Sequence, residues 1–238
     1  MSEAMDQMIV RDPSATRIIR RAMVDNQIRT FDVTDQPLLD RFYGVPREAF
    51  LPEGLAPLAY SDAVLTVAGR DGLKRILLMP MVLARLLQGA AVQPSDRVLV
   101  VGGGTGYSTA LLAGMCAEVT ALERDIGFTA GAMAAFKALD LPQASAVTGS
   151  LAEGYAAKGP FDVIVVEGAV EDHLDPLLAQ LADRGRFVTI RKMAFDGVRR
   201  SGRAMLYERF GREIGSRPLF DSSAAVLDEF AKAVSFAF

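Results

Sequence analysis

The residues of this sequence best suited to chemistry are three glycines, Gly102, Gly104 and Gly106, which follow four aliphatic residues at 98–101. Residues with helix-forming spacing come directly after them, at 107–113. Glycine allows a turn to adopt positive φ angles and allows a ligand to lie against the backbone. The helix that follows directs unpaired N–H groups towards that turn. Strand, turn and helix together predict a site for a nucleotide-like cofactor.

An acidic residue, Glu123, ends the next apolar stretch, at 119–122. A carboxylate at the end of such a strand can accept hydrogen bonds from both hydroxyls of a ribose. The G-x-G-x-G spacing favours S-adenosylmethionine over a nicotinamide dinucleotide, whose turn would read G-x-G-x-x-G. We therefore predict an adenosyl cofactor held by the three glycines and Glu123.

The sequence contains one cysteine, Cys116, and one histidine, His173. This is too few for a zinc site of the His/Cys type, and we predict no metal site. Apolar neighbours indicate that Cys116 is a small buried residue rather than a nucleophile. His173 falls near the start of a predicted helix, where we expect it at the surface or as a cap.

The composition is that of an ordinary globular protein. Of the 238 residues, 50% are hydrophobic and 23% are charged, and the formal net charge is −3. This charge argues against a broad nucleic-acid surface, which usually needs a basic excess. We see neither a signal peptide nor an apolar run of about 18 residues, so we expect no membrane segment and a cytoplasmic location. The oligomeric state stays open.

Strands and helices alternate through the middle of the chain, which predicts an α/β fold with a parallel sheet covered by helices on both faces. The predicted strands are 97–101, 118–123, 144–148, 161–166 and 185–190. The predicted helices are about 106–115, 127–140 and 172–183. Residues 204–210 and 234–238 are expected to add antiparallel strands.

An N-terminal extension precedes the sheet. Residues 1–12 are polar and are expected to be disordered. Helices are predicted at 14–28, from a cap at Thr34 or Asp35 to Gly44, and from Pro80 onward, with loops and short strands between them. We predict one compact domain, formed by a helical and loop extension at 13–96 and a core at 97–238.

Several different short motifs follow one another between residues 21 and 190. They are Val45-Pro46-Arg47-Glu48-Ala49-Phe50-Leu51-Pro52, Ala59-Tyr60-Ser61-Asp62, Val98 to Tyr107, Gly149 to Gly154, Pro160 to Val166, Leu177 to Leu181 and Gly185 to Val188. Through these motifs the chain resembles a divergent member of the protein-L-isoaspartate (D-aspartate) O-methyltransferase family. The resemblance implies a class I methyltransferase fold with a doubly wound, Rossmann-like sheet. It also implies S-adenosylmethionine as methyl donor and esterification of isoaspartyl carboxylates in damaged proteins.

The resemblance extends the set of expected cofactor contacts. Ser150 stands where the family carries an acid directed at the adenine amino group, and Leu151 is next to it. Glu167 follows the fourth strand, at the edge of a doubly wound sheet where a cofactor lies. We therefore add Ser150, Leu151 and Glu167 to the predicted cofactor-binding residues.

Three positions depart from the family pattern. Val100 replaces an acid that usually stands two residues before the first motif glycine, and Ser150 replaces the adenine-binding acid. Leu78 replaces a serine whose hydroxyl lies at the substrate carboxylate. Since each lost hydrogen bond to a ligand costs about 0.5–3 kcal/mol, we expect weakened cofactor binding. The catalytic group is unknown, and Ser61 and Asp62 are candidates for it.

Two functions follow from these observations. The first is a methyltransferase of the isoaspartyl type, acting on a protein or peptide, or on a small-molecule acceptor if the acceptor has changed. The alternative is a catalytically degenerate relative that keeps the fold as a binding or regulatory module. In that case an apolar surface near Leu77, Leu78 and Met79 would serve a partner. Lys74 and Arg75, just before this segment, are interpreted as solvated loop charges.

Overall fold

The fold is built on a mostly parallel sheet, in a computed structural model that describes residues 13–192 and 202–232. Its nine strands within these residues are β1 (Leu65–Ala68), β2 (Lys74–Leu77), β3 (Arg97–Val101), β4 (Glu118–Glu123), β5 (Ala144–Thr148), β6 (Phe161–Val170), β7 (Leu181–Lys192), β8 (Gly202–Phe210) and β9 (Glu213–Asp221). Strands β1 and β2 form a separate antiparallel hairpin. The other seven form one sheet in the order β5-β4-β3-β6-β7-β8-β9. Neighbours from β5 to β7 are parallel, and β8 and β9 are antiparallel.

Six α-helices occur within the described residues. They are α1 (Pro13–Met23), α2 (Gln36–Gly44), α3 (Pro80–Ala90), α4 (Tyr107–Leu112), α5 (Ile126–Ala138) and α6 (Asp175–Ala179). A π-helical turn, Val24–Ile28, continues α1. The side chain of Asp35 accepts a hydrogen bond from the Leu38 N–H at 3.1 Å and so begins α2, as the sequence indicates. Pro80 is the first residue of α3, also as predicted.

The sheet is buried on both faces, and β3 shows this most clearly. Val98 and Val100 belong to a core formed with α3, α4, α5 and the N-terminal helices. Leu99 and Val101 belong to a second core, formed with α6 and with residues near the C-terminus. Because both alternating sets of side chains are apolar, the strand has no solvated face. This arrangement is the doubly wound α/β fold that the sequence predicts.

The predicted strands agree with the structure better than the predicted helices. The strands at 97–101, 118–123 and 144–148 are confirmed at both ends, whereas β6 and β7 are longer than predicted. The predicted helix at 172–183 is wrong in extent, because α6 ends at Ala179 and β7 begins at Leu181. The helices predicted at 106–115 and 127–140 differ by one to three residues at their ends.

The remaining sequence predictions concern the C-terminal strands, the polar N-terminus, Cys116 and membrane segments. Strand β9 is missed, because most of its residues are exposed and show no apolar alternation. The predicted strand at 234–238 and the polar terminus at 1–12 lie outside the described residues. Cys116 is buried as expected, and burial raises the pKa of its thiol to about 12. Among the helices of the described part of the chain, none has the length and apolar character to cross a membrane.

Candidate cofactor and substrate site

The glycine turn joins β3 to α4 at the carboxyl end of the sheet. Gly102, Gly104 and Gly106 have φ angles of 73°, 58° and 89°, so the expectation of positive φ is confirmed. The Gly102 N–H donates to the Leu122 carbonyl at 3.0 Å, which ties the turn to β4. The turn and the end of β4 therefore form one continuous backbone surface.

Glu123, the last residue of β4, lies beneath this turn with 1% of its surface exposed. Its Oε1 accepts hydrogen bonds from the Gly104 N–H at 2.7 Å and from Nε of Arg75 at 2.9 Å. Its Oε2 accepts from the Arg124 N–H at 3.0 Å. Both carboxylate oxygens that were expected to bind a ribose are therefore engaged by the chain itself.

Arg75 reaches Glu123 from β2. The Arg75 side chain is buried, so its interpretation as a solvated loop charge is wrong. A Cβ atom placed on Gly104 would lie 3.0 Å from Cβ of Arg75, which means that the β1–β2 hairpin packs directly against the glycine turn. Only a glycine at this position allows so close an approach.

A segment near the C-terminus, residues 224–231, covers the neighbouring strand ends, and we call it the C-terminal strap. The Ala169 N–H donates to the Ala225 carbonyl at 2.9 Å, and the Leu227 N–H donates to the Ala169 carbonyl at 3.0 Å. These bonds hold the strap along the end of β6. The Leu227 side chain lies against the glycine turn, since a Cβ atom on Gly102 would be 2.8 Å from its Cδ1.

The strap also contacts the two residues expected at the adenine ring. The Ser150 hydroxyl donates to Oε2 of Glu229 at 2.8 Å, and the Leu151 N–H donates to the same oxygen at 2.9 Å. An acid is thus present at this position, but it comes from residue 229 instead of residue 150. Glu229 could not be recognised from the sequence, because nothing local in the sequence relates it to Ser150.

Glu167, near the end of β6, is the second buried carboxyl group of the site. The Ser108 hydroxyl donates to its Oε2. Burial raises the pKa of Glu167 to about 7, although the Ser108 hydrogen bond and the charge of Arg47 act in the opposite direction. The charge of Glu123 raises it further. Val100, which replaces a family acid, is fully buried in β3.

Arg47 is a second buried cation of the site, with none of its surface exposed. Its Nη2 donates to the Leu78 carbonyl at 2.8 Å, and its guanidinium carbon lies 5.0 Å from the centre of the Tyr107 ring. Within the described residues, neither Nε nor Nη1 has a hydrogen-bond partner. Burial lowers the pKa of Arg47, yet a guanidinium keeps its charge in proteins. Arg47 lies within the Val45–Pro52 motif, and nothing local in the sequence indicates its role.

The other residues singled out from the sequence differ in their contacts and in their burial. The Ser61 hydroxyl donates to the Leu58 carbonyl of its own loop at 2.7 Å, and Asp62 is exposed. Leu77 and Leu78 are buried, so the hypothesis of an apolar partner surface there is wrong. His173 is exposed just before α6, as expected. The structure therefore brings together the glycine turn, Glu123, Ser150, Leu151 and Glu167.

The types of residue present in this site are suited to binding an adenosyl group. Positive-φ glycines, a buried carboxylate and the Leu151 N–H are the groups with which a protein binds a ribose and an adenine. In the described conformation, however, Arg75 contacts Glu123, Leu227 contacts Gly102, and Glu229 accepts the Leu151 N–H. The site is therefore closed by the chain itself.

We predict that the Arg75–Glu123 pair is strongly coupled. Removing one partner leaves the other charge buried and unpaired, so Glu123→Ala should lower the free energy of unfolding by about 3–5 kcal/mol. The matched control is the Arg203–Asp221 pair, 2.8 Å apart with side chains 45% and 80% exposed, where coupling below about 1 kcal/mol is expected. Urea denaturation in a double-mutant cycle for each pair measures both couplings. Equal coupling energies would contradict this prediction.

Glu167 should make stability depend on pH. Its pKa is about 7 in the folded chain and near 4.5 in an unfolded one, so the folded state holds the proton more tightly. Its contribution is therefore present below about pH 4.5 and is lost as the pH rises through 7. Glu167→Gln, which cannot titrate, should remove a pH-dependent loss on the order of 3 kcal/mol. Parallel curves of unfolding free energy against pH for the two proteins would show that Glu167 has no such role.

Comparisons with known proteins identify the family of this chain. A sequence model of the family described as protein-L-isoaspartate(D-aspartate) O-methyltransferase matches residues 19–195. The protein-L-isoaspartate O-methyltransferase of Koribacter versatilis is 38% identical over 169 residues, which cover 71% of this chain and 74% of the relative. That of Methylorubrum extorquens is 37% identical over 169 residues, covering 71% and 72%.

Two solved structures share the fold. A protein-L-isoaspartate O-methyltransferase superposes with a TM-score of 0.75 at 21% identity, covering 87% of this chain and 65% of the longer relative. A Plasmodium falciparum protein assigned to the same family, in complex with S-adenosyl-L-homocysteine, superposes with a TM-score of 0.70 at 19% identity, covering 88% and 98%. From the family match and the relatives above 30% identity, we conclude that this chain belongs to the protein-L-isoaspartate(D-aspartate) O-methyltransferase family.

Proposed function

We propose that this chain catalyses S-adenosylmethionine-dependent methyl esterification of isoaspartyl carboxylates in proteins or peptides. Membership of the family supports the reaction class. The single observation that carries the choice of a carboxylate acceptor is the buried guanidinium of Arg47. Two of its nitrogens have no hydrogen-bond partner among the described residues, and it lies beside Leu78, where the family's serine is missing.

The reaction requires the protein mainly to position the two reactants. S-adenosylmethionine supplies an activated methyl group on a positively charged sulfur, and an ionised carboxylate is already a nucleophile. Neither partner needs a general base, so a single exposed histidine, His173, is no obstacle. The chain has to hold the acceptor oxygen in line with the methyl group and to exclude water.

Three groups of this chain would hold the cofactor. The Glu123 carboxylate would accept the ribose hydroxyls, the glycine turn at 102–106 would lie against the adjoining chain of the ligand, and the Leu151 N–H would face the adenine ring. Each of these groups lies at the carboxyl end of a parallel strand, where ligands bind in doubly wound folds. Ser150 offers one further hydroxyl at the same edge.

Arg47 would orient the acceptor in place of the family's serine. With Nη2 fixed on the Leu78 carbonyl, the guanidinium still presents N–H groups from Nε and Nη1. A carboxylate is the group that best matches a guanidinium, because it forms charge-assisted hydrogen bonds and neutralises the buried charge. Leu78 itself supplies only its carbonyl to this arrangement.

Glu167 does not prevent an anion from binding nearby. A permanently ionised carboxylate at this position would repel a second one. Because the pKa of Glu167 is about 7, a large fraction of its carboxyl group is neutral near neutral pH. A substrate carboxylate beside Arg47 then meets less repulsion than two ionised acids would cause.

The alternative of a non-catalytic binding module was suggested by the loss of family polar groups at Val100, Leu78 and Ser150, and it expected a partner surface near Leu77 and Leu78. Both of these leucine side chains are buried within the chain, so they do not offer such a surface. Within the described residues, the buried and incompletely paired Arg47 points instead to a small anionic group as the missing partner.

We predict that Arg47→Met lowers kcat/KM for an isoaspartyl peptide by about 100-fold or more, because a charged hydrogen-bond donor to the acceptor is lost. The dissociation constant of S-adenosylhomocysteine should change little, since no cofactor group is removed. Arg47→Lys, which keeps the charge, should show a smaller loss. Initial rates with a radiolabelled methyl donor, together with calorimetry for the ligand, measure both quantities.

The matched control is Arg97→Met. Arg97 donates to the carbonyls of Lys158 and Pro160. It lies at the amino end of β3, whereas the glycine turn lies at the carboxyl end of the same strand. This variant should methylate the peptide at a rate close to that of the unmodified chain. An Arg47→Met protein as active as the control would refute the role of Arg47, and an unmodified chain inactive on isoaspartyl peptides would refute the proposed function.

A further inference from the structure

We propose that the Tyr107 hydroxyl is a second group that binds the acceptor carboxylate, together with the Arg47 guanidinium. This inference rests on the proposed function, because it concerns the substrate of the same site. A second donor fixes the orientation of the carboxylate, and with it the oxygen that attacks the methyl group. Tyr107 is then a catalytic residue in addition to the first residue of α4.

The first support is the environment of the Tyr107 hydroxyl. Only 1% of the surface of this residue is exposed, and its hydroxyl oxygen has no hydrogen-bond partner among residues 13–192 and 202–232. A buried tyrosine hydroxyl ordinarily has a partner, because an unpaired polar group is costly in a protein interior. The hydroxyl shares this lack of a partner with Nε and Nη1 of Arg47. A carboxylate, which accepts several hydrogen bonds and carries a negative charge, would satisfy these donors.

The second support is the closeness of Tyr107 to Arg47. The guanidinium carbon lies 5.0 Å from the centre of the tyrosine ring. Burial raises the pKa of Tyr107 to about 12, although the charge of Arg47 acts in the opposite direction. The hydroxyl therefore keeps its proton at neutral pH and can donate it to an anion. Because a carboxylate has two oxygens, it can accept from the guanidinium and from the hydroxyl at once.

The third support is the fixed position of the ring. Tyr107 makes edge-to-face contacts with Phe42 and Phe50, with ring centres 6.3 and 5.6 Å apart. It also follows Gly106 directly, at the end of the glycine turn. The turn that would lie against the cofactor therefore also positions the hydroxyl. One piece of backbone would align the acceptor with the methyl donor, which in-line transfer requires.

An unpaired hydroxyl should lower the stability of the free protein and should serve only when substrate is bound. Tyr107→Phe removes this one oxygen, so it should raise the Tm of the free protein by about 2–4 °C. A hydroxyl with a structural role would give a change of the opposite sign. Tyr43→Phe is the matched comparison, because the Tyr43 hydroxyl donates to Asp25 at 2.5 Å and its loss should lower the Tm.

The test compares Tyr107→Phe with the unmodified chain in methyl transfer to an isoaspartyl peptide and in two calorimetric titrations. One titration measures S-adenosylhomocysteine, and the other measures the peptide on the chain saturated with S-adenosylhomocysteine. Loss of a hydrogen bond to a charged group should lower kcat/KM about 10- to 100-fold and should raise the dissociation constant of the peptide about 10-fold. The dissociation constant of S-adenosylhomocysteine should be unchanged.

The control for these measurements is Tyr207→Phe. Tyr207 lies in β8, where its ring packs against Phe187 in the second core, on the other face of the sheet from Tyr107. This variant should match the unmodified chain in all three measurements. An unchanged kcat/KM for Tyr107→Phe would overturn the inference. A lower Tm together with weaker binding of S-adenosylhomocysteine would also overturn it, because both changes would show that the hydroxyl is structural.

These readouts separate the inference from the function on which it rests. Methyl transfer that does not depend on the Tyr107 hydroxyl would refute the inference and support the proposed function. Peptide binding that weakens in Tyr107→Phe, without methyl transfer by the unmodified chain, would refute the proposed function and support the role of Tyr107. Neither peptide binding nor methyl transfer by the unmodified chain would overturn both.

Discussion

The pairing of the buried carboxylate of Glu123 is the interaction on which this structure depends. An ionised carboxylate removed from water needs charged or hydrogen-bonding partners, because the loss of hydration is otherwise too costly. Arg75, the Gly104 N–H and the Arg124 N–H supply them. These bonds join the β1–β2 hairpin, the glycine turn and β4 in one unit. The N-terminal extension therefore docks on the sheet at the point where a cofactor would bind.

Glu123, Glu167 and Arg47 are buried ionisable groups near the glycine turn, and each is accommodated differently. Glu123 is fully paired, and the pKa of Glu167 rises to about 7, which reduces its charge near neutral pH. Arg47 keeps its charge beside the Leu78 carbonyl, the Tyr107 ring and the Glu167 carboxyl group, while its Nε and Nη1 have no hydrogen-bond partner among the described residues. Incomplete satisfaction of a buried charge is the kind of local inconsistency that marks a functional site. This makes Arg47 the position where an anionic ligand has most to contribute.

The sequence predicts those parts of the molecule that depend on short-range pattern. Strands such as Arg97–Val101 are recognisable because burial on both faces requires a continuous aliphatic run. The glycine turn is recognisable because only glycine adopts its φ angles without strain. Strand β9 is not, because an exposed edge strand needs no apolar alternation. The helix at 172–183 is overestimated because Leu177 and Leu181 have helical spacing, although Leu181 already begins β7.

The contacts that close the site could not be predicted in this way. Arg75 and Glu123 are 48 residues apart, and Ser150 and Glu229 are 79 residues apart, so no periodicity relates them. Family resemblance suggests which residues hold the cofactor, but the family match ends at residue 195, before the strap begins. Arg47 lies within one of the sequence motifs. It is distinguished from a structural arginine by its burial and by two nitrogens that have no hydrogen-bond partner among the described residues.

The central claim is that the cofactor groups are present but are closed by Arg75 and the C-terminal strap. The most direct measurement is a crystal structure of the full chain in complex with S-adenosylhomocysteine. It is expected to show the ribose hydroxyls on the Glu123 carboxylate, Arg75 moved away from it and Leu227 withdrawn from Gly102. A ligand bound at the carboxyl end of the sheet with Arg75 and Leu227 in their present positions would contradict the claim.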